Sequence, residues 1–148
     1  MDESPPASQA PVATSMSDTF TAAPPISVLV IEDVMDTADS LARFLRIGAG
    51  LDVRVAYNGE AGVKLAFADP PAAVVCDIGL PRLNGLRVAG ELAELKPRPL
   101  LIAVTAYGGV YTEDLARAAG FDHYLIKPAD PFEIERLILE HGRKVAGG

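Results

Sequence analysis

Five short apolar runs recur along the chain after residue 26, and segments with helical periodicity separate them. The runs are Ser27–Ile31, Val53–Ala56, Ala73–Cys76, Leu100–Val104 and His123–Ile126. Val and Ile are common in them. This pattern predicts five strands that are buried on both faces of a sheet.

The segments between the runs place apolar residues three and four apart, which predicts helices with one buried stripe. They are Asp36–Ile47, Gly59–Ala68, Asn84–Leu95, Tyr111–Ala119 and Pro131–His141. Gly48 is a candidate stop for the first helix. The last helix has a clear start signal, because Asp130 can cap it, Pro131 suits its first turn and Glu133 follows three residues after the cap.

Strand–helix alternation repeated five times predicts an α/β fold with a doubly wound, five-stranded parallel sheet and five helices. Residues 1–25 stand apart, because they are rich in Pro, Ala and Ser and show no helical or strand period. We expect them to form a disordered tail in front of one domain at residues 26–148.

Charge and composition narrow the function further. The net charge is −7 and the Lys and Arg residues are not clustered, which argues against a nucleic-acid surface. No apolar run is long enough to cross a bilayer and the first residues do not look like a secretory signal, so we expect a cytoplasmic protein without a membrane anchor. The single cysteine, Cys76, lies in an apolar run and we expect it to be a buried core residue.

Polar residues with complementary chemistry stand at the ends of four of the five runs. They are Glu32, Asp33, Asp77, Thr105 and Lys127. Ligands of open parallel sheets bind at the carboxyl ends of strands, so we expect these side chains to lie close together. Three converging carboxylates favour a hard divalent cation such as Mg²⁺, a carboxylate can attack phosphorus, and Lys and Thr can face the phosphoryl oxygens.

Four segments resemble the signature stretches of bacterial response-regulator receiver domains, the phosphorylated switches of two-component phosphorelays. They are Val28–Asp33 (VLVIED), Val74–Pro81 (VVCDIGLP), Ala103–Ala106 (AVTA) and Tyr124–Pro128 (YLIKP). The resemblance extends over most of the chain beyond the tail. It implies a flavodoxin-like fold with strand order 2-1-3-4-5.

The resemblance also implies a role for each candidate residue. Asp77 would accept the phosphoryl group. Glu32 and Asp33 would hold Mg²⁺, together with Asp77 and the backbone carbonyl of Gly79. A simpler alternative for the acidic pair is that it caps the first helix, although Asp36 is better placed for that role.

The remaining implied roles concern residues in or directly after the fourth and fifth apolar runs. Lys127 would pair with the phosphoryl group, and the Lys127–Pro128 bond would be cis. Thr105 and Tyr124 would form a pair that switches on phosphorylation, although an aromatic residue in a strand is more often simply part of the core. The output surface would then consist of the fourth helix, the fifth strand and the fifth helix.

The leading hypothesis is a single-domain response regulator that receives phosphate from a histidine kinase or a histidine phosphotransfer protein. It would signal through a changed protein-binding surface or drain phosphate from a relay, and it would not be an enzyme beyond its own phosphorylation and dephosphorylation. One alternative is an aspartyl-phosphate phosphohydrolase, but such enzymes typically carry an acid/base Asp where this chain has Gly79. The other is a binding module that works without phosphate.

Overall fold

The computed structural model describes residues 24–78, 84–106 and 112–147, and its elements alternate as the apolar pattern predicts. The strands are β1 (Ser27–Ile31), β2 (Asp52–Ala56), β3 (Ala73–Asp77), β4 (Leu100–Ala106) and β5 (His123–Lys127). The helices are α1 (Met35–Ala49), α2 (Gly59–Ala68), α3 (Gly85–Leu92), α4 (Glu113–Ala119) and α5 (Pro131–Gly147). Of the predicted tail, only Pro24 and Pro25 lie within the described residues.

The strands form one parallel sheet in the order β2-β1-β3-β4-β5. This confirms both the predicted fold class and the predicted strand order. β3 occupies the centre of the sheet, so the residue that ends it lies at the middle of the carboxyl edge.

Alternation along the strands divides the core into two layers, because successive side chains of a strand point to opposite faces. In β1, Val28 and Val30 pack with α1 and α5, whereas Leu29 and Ile31 pack on the side of α2, α3 and α4. The other strands divide in the same way. Cys76 belongs to the second layer and is fully buried, as the sequence predicts.

The ends of α1 differ from the prediction. Its N-cap position is Val34, which makes no side-chain cap bond, and Asp36 lies in the first turn, so the cap assignment of Asp36 was wrong. Gly48 does not stop the helix. The helix continues to Ala49 and ends at Gly50, whose φ of 65° is in the left-handed region that glycine adopts without steric cost.

The last helix is longer than predicted, because it continues past His141 to Gly147. Gly142 does not break it and lies closely against Ile26, where a Cβ would come within 2.6 Å of Ile26 Cδ1. The predicted start of α5 is confirmed, since the Asp130 carboxylate accepts a hydrogen bond from the Phe132 N–H at 2.9 Å.

The short helices α3 and α4 begin at side-chain caps. The Asn84 side chain accepts a hydrogen bond from the Arg87 N–H, and the Thr112 hydroxyl accepts one from the Leu115 N–H. α3 lies very close to the strand-end residue Ile78, because a Cβ on Gly85 would come within 2.9 Å of the Ile78 Cα. Within the described residues, no helix has the length and apolar character that crossing a bilayer requires.

Candidate functional site

Three charged side chains meet at the carboxyl edge of the sheet, on the face covered by α1 and α5. Glu32 follows β1, Asp77 ends β3 and Lys127 ends β5. β1 and β3 are neighbours although β2 comes between them in the chain, so the strand order reverses at this point, where open α/β sheets bind their ligands. The structure therefore brings together the predicted acceptor Asp77, the predicted metal ligand Glu32 and the predicted lysine.

The Lys127 ammonium bridges the two carboxylates. Its Nζ lies 2.5 Å from Asp77 Oδ2 and 3.1 Å from Glu32 Oε1. Both carboxylates are almost fully buried, with 3% and 4% exposure for Asp77 and Glu32 respectively. Buried carboxylates are costly unless a cation and hydrogen bonds compensate them, and the ammonium provides both.

Glu32 is held through both its side chain and its backbone. Oε2 accepts a hydrogen bond from the Val34 N–H at 3.0 Å, and the Glu32 N–H donates to the Ala56 carbonyl at the end of β2. Burial raises the pKa of the Glu32 carboxyl above its ordinary value, and Asp77 adds to this rise, although the Val34 N–H and Lys127 oppose it. A cation of higher charge than the Lys127 ammonium would therefore stabilise the ionised form of this carboxyl further.

Burial and the two carboxylates shift the pKa of Lys127 in opposite directions. Burial alone would lower the pKa of its ammonium, but the hydrogen bonds from the ammonium to Asp77 and Glu32 outweigh burial and raise the pKa above its ordinary value. Lys127 therefore stays charged across the physiological range. The bond from Lys127 to Pro128 is cis, as predicted.

Asp33 does not join this ionic cluster. Its Oδ1 is buried and has no hydrogen-bond partner in the described part of the chain. Within that part, no three His, Cys, Asp or Glu side chains are close enough to form a ready-made metal cage. The convergence of three carboxylates was predicted, but the structure brings two of them together around an ammonium. Gly79, the predicted carbonyl ligand, lies outside the described residues.

Thr105 and Tyr124 occupy the opposite face of the sheet edge from the charged trio. Thr105 lies inside β4, which continues to Ala106, and Tyr124 packs against the layer that contains α2, α3 and α4. The Thr105 hydroxyl is fully buried and has no hydrogen-bond partner among the described residues. A buried hydroxyl without a partner costs free energy, so this atom has something to gain from a new acceptor nearby.

A cavity of about 640 Å³ opens beside the trio, between α1, α5 and the sheet. Asp77, Glu32 and Lys127 form its polar end, and most of its wall is apolar. On the outer side, Phe44 of α1 packs edge-on against Phe132 of α5, with ring centroids 4.9 Å apart. The sequence does not indicate this cavity, because the apolar stripes of α1 and α5 each have the pattern of a core-facing helix and give no sign of the space between them.

The model of the response regulator receiver domain family matches residues 28–139. The chain belongs to this family. Its members are phosphoryl-accepting switches of two-component systems, and nothing in the match indicates a separate catalytic activity.

Among curated relatives, an uncharacterized 14.6 kDa protein of Leptolyngbya boryana is 35% identical over 78% of this chain and 89% of its own length. The response regulator MprA of Mycolicibacterium vanbaalenii is 34% identical over 77% of this chain, but the match covers only 48% of MprA. The receiver domain therefore spans about half the length of this larger relative.

Solved structures carry the same fold. A CheY-like receiver domain of Methanospirillum hungatei has a TM-score of 0.74 at 23% identity, over 84% of this chain and all of its own. A Burkholderia pseudomallei response regulator was solved with a phosphorylated aspartic acid, calcium and citrate. It has a TM-score of 0.70 at 31% identity, over 82% of this chain and 71% of its own. The receiver domain of Ssk1 from Saccharomyces cerevisiae was solved with the histidine phosphotransfer protein Ypd1. It has a TM-score of 0.69 at 21% identity, over 80% of this chain and 90% of its own.

Proposed function

We propose that this receiver domain accepts a phosphoryl group on Asp77 from a histidine kinase or a histidine phosphotransfer protein. The observation that carries the proposal is the buried Asp77 carboxylate at the centre of the sheet edge, with the Lys127 ammonium 2.5 Å away. Phosphoryl transfer places charge on oxygens that a fixed cation can stabilise. The phosphorylated aspartic acid of the Burkholderia relative and the Ypd1 complex of Ssk1 support the acceptor and the class of donor.

We further propose that Mg²⁺ binds at this edge through Glu32, Asp33 and Asp77, with the Gly79 carbonyl as a fourth protein ligand. The donors are all oxygens, which suits a hard divalent cation. The buried, partnerless Oδ1 of Asp33 and the raised pKa of Glu32 support this ligand set, because both carboxylates would gain from a nearby cation. When bound, Mg²⁺ supplies neutralisation of the charge on the transferring phosphoryl group.

We also propose that Thr105 and Tyr124 transmit the phosphorylation state of Asp77 to the surface of the domain. The partnerless Thr105 hydroxyl would donate to a phosphoryl oxygen, and a shift of Thr105 would change the packing around Tyr124. The surface formed by α4, β5 and α5 would change with it. On this surface Leu115 and Ile126 are nearly half exposed, which suits a protein partner.

The domain would then act by binding a protein in its phosphorylated form or by draining phosphate from a relay. We propose that residues 26–148 suffice for both activities and that residues 1–25 are a separate tail. Dephosphorylation would take place at the same site.

Phosphorylation with acetyl phosphate and Mg²⁺ tests the proposal directly. The wild-type chain should gain one acid-stable, base-labile phosphoryl group, measured by intact mass. Asp77→Asn should gain none, because an amide is not a nucleophile, and chelation of Mg²⁺ should reduce labelling strongly. Asp52→Asn, a change at an exposed carboxylate, is the matched control and should label like the wild type.

The same experiment separates the alternatives. Full labelling of Asp77→Asn would refute the acceptor assignment. Absence of labelling in the wild type would favour a phosphate-independent module, and multiple turnovers of a phosphate ester would favour a phosphohydrolase.

A further inference from the structure

The cavity beside Asp77 is larger than phosphoryl chemistry requires. Its volume is about 640 Å³, and its charged groups are confined to one end, where Asp77 and Lys127 face it. Beyond that end, most of the wall is apolar side chains from α1, the sheet and the start of α5. They include Val30, Leu41, Phe44, Val104, Ala129 and Ile134.

We propose that this cavity receives the apolar acyl group of a small-molecule phosphodonor, so that the domain prefers longer acyl phosphates to acetyl phosphate. The proposal rests on the proposed acceptor role of Asp77. In the step, an Asp77 carboxylate oxygen forms a bond to phosphorus while the bond from phosphorus to the bridging acyl oxygen breaks. The acyl group departs as its carboxylate and needs no proton.

We assign the acyl group to the cavity because the cavity is continuous with Asp77, the proposed acceptor. An in-line displacement places the leaving oxygen on the far side of phosphorus from the attacking Asp77 oxygen. Asp77 faces the cavity, so the leaving group and its substituent are directed toward the walls formed by Leu41, Phe44 and Ile134. These walls offer an aliphatic chain apolar contact, and among the described residues the only polar side chains that line the cavity besides the charged trio are Thr37 and Ser40.

The expected preference follows from the area that each methylene buries. A fully buried methylene changes a rate or affinity about fourfold, and the cavity is partly open, so about threefold per methylene is expected. Burial that is the same before and during transfer lowers the half-saturating donor concentration. The preference should therefore appear in the second-order rate constant measured well below saturation.

The test compares acetyl, propionyl and butyryl phosphate with the full chain and Mg²⁺, with phosphorylation followed by intact mass. The three leaving carboxylates have nearly equal basicity, so intrinsic reactivity does not produce a trend. The second-order rate constant should rise about threefold per added methylene. Leu41→Phe, which fills the cavity, should bring the butyryl-to-acetyl ratio close to one, whereas Ile47→Phe should leave the ratio as in the wild type, because Ile47 lies on the same helix outside this cavity.

Equal rate constants for the three donors in the wild type would overturn the proposal, as would a decline with chain length or an unchanged ratio in Leu41→Phe. If Leu41→Phe does not fold by circular dichroism, Ser40→Phe, at an exposed position lining the same cavity, replaces it. Phosphorylation by all donors without a preference would refute this inference alone. Phosphorylation by none of them would refute the proposed function.

Discussion

Replacement of Lys127 by methionine tests how the charged trio is held together. The change keeps an unbranched side chain, one atom shorter than lysine, but removes the cation between two buried carboxylates. With an effective dielectric constant near 20, the attractions at 2.5 and 3.1 Å correspond to about 7 and about 5 kcal/mol. Most of this is offset by the desolvation of the ammonium, so the gross figure is not the expected loss.

The net loss can be bounded from the exposure of the three groups. Removal of one partner from a buried ion pair costs about 3–5 kcal/mol. The Lys127 side chain is 31% exposed, which weakens its interactions, so we expect a loss of about 2–3 kcal/mol in the free energy of unfolding without Mg²⁺. For a domain of this size the midpoint of thermal unfolding should fall by about 3 °C per kcal/mol.

The loss should also depend on pH. Burial raises the pKa of Glu32 above 4.5, and the variant lacks the ammonium that opposes this rise. The folded variant therefore binds more protons than the unfolded chain as the pH rises from 4.5, so its stability falls through that window until Glu32 is ionised in both states. The deficit relative to wild type should be smaller in mild acid than at neutral pH.

Urea unfolding followed by circular dichroism, with and without Mg²⁺, measures both effects. Mg²⁺ should stabilise Lys127→Met more than it stabilises the wild type, because no ammonium competes for the carboxylates. Lys64→Met is the control, since its ion pair with Glu60 is highly exposed and should contribute less than about 1 kcal/mol. A Lys127→Met variant as stable as the control at neutral pH, or one destabilised further by acid, would refute this account of the site.

Three further predictions follow from the structure. Gly85→Ala should destabilise the domain by about 1–3 kcal/mol, because a Cβ there meets the backbone of Ile78. Gly90→Ala in the same helix meets nothing and should be neutral or stabilising. Urea unfolding of both variants checks this, and equal effects would contradict it. Thr105→Val should still accept phosphate on Asp77 but lose the amide chemical-shift changes on α4 and β5, while Thr105→Ser should retain them; full changes in the valine variant would show that the hydroxyl is dispensable. Deletion of residues 1–23 should leave the phosphorylation rate within about twofold of wild type, and a large loss would show that the tail packs on the domain.

The central strands β1, β3 and β4 were predictable because burial on both faces leaves a continuous apolar run, which ends where the chain turns polar. The expectation of burial on both faces was wrong for the edge strands β2 and β5, which have one neighbouring strand each and keep half-exposed side chains. Ser27–Ile31 and Gly59–Ala68 were predicted to the residue. The meeting of Asp77 and Lys127 also followed from sequence, because parallel strands share one carboxyl edge.

Helix ends were harder to predict, because they depend on single backbone conformations. Gly48 and Gly50 are equivalent candidates by residue type, and only the left-handed φ of Gly50 distinguishes the actual end. The N-terminus of α1 was wrong for a different reason. Glu32, which lies before the helix, accepts a hydrogen bond from the Val34 N–H, whereas Asp36 lies inside the first turn.

The partners of each charge could not be derived from the sequence at all. The ammonium of Lys127 reaches both Glu32 and Asp77, whereas Asp33, adjacent to Glu32, remains outside the cluster. Such choices depend on side-chain length and direction at ångström scale, which apolar patterning does not encode. The cavity between α1, α5 and the sheet likewise depends on how these elements pack, which apolar patterning does not encode.

The alternation of side chains along the strands has a consequence for how such a domain can evolve. The charged trio lies on the side of α1 and α5, and Thr105 and Tyr124 lie on the other. Under the proposed function, a mutation that alters how a donor approaches Asp77 therefore need not disturb the packing around Tyr124, and a mutation near Tyr124 need not change the donor. A gene duplicate could thus acquire a new input while it keeps its old output, or the reverse, one sheet face at a time.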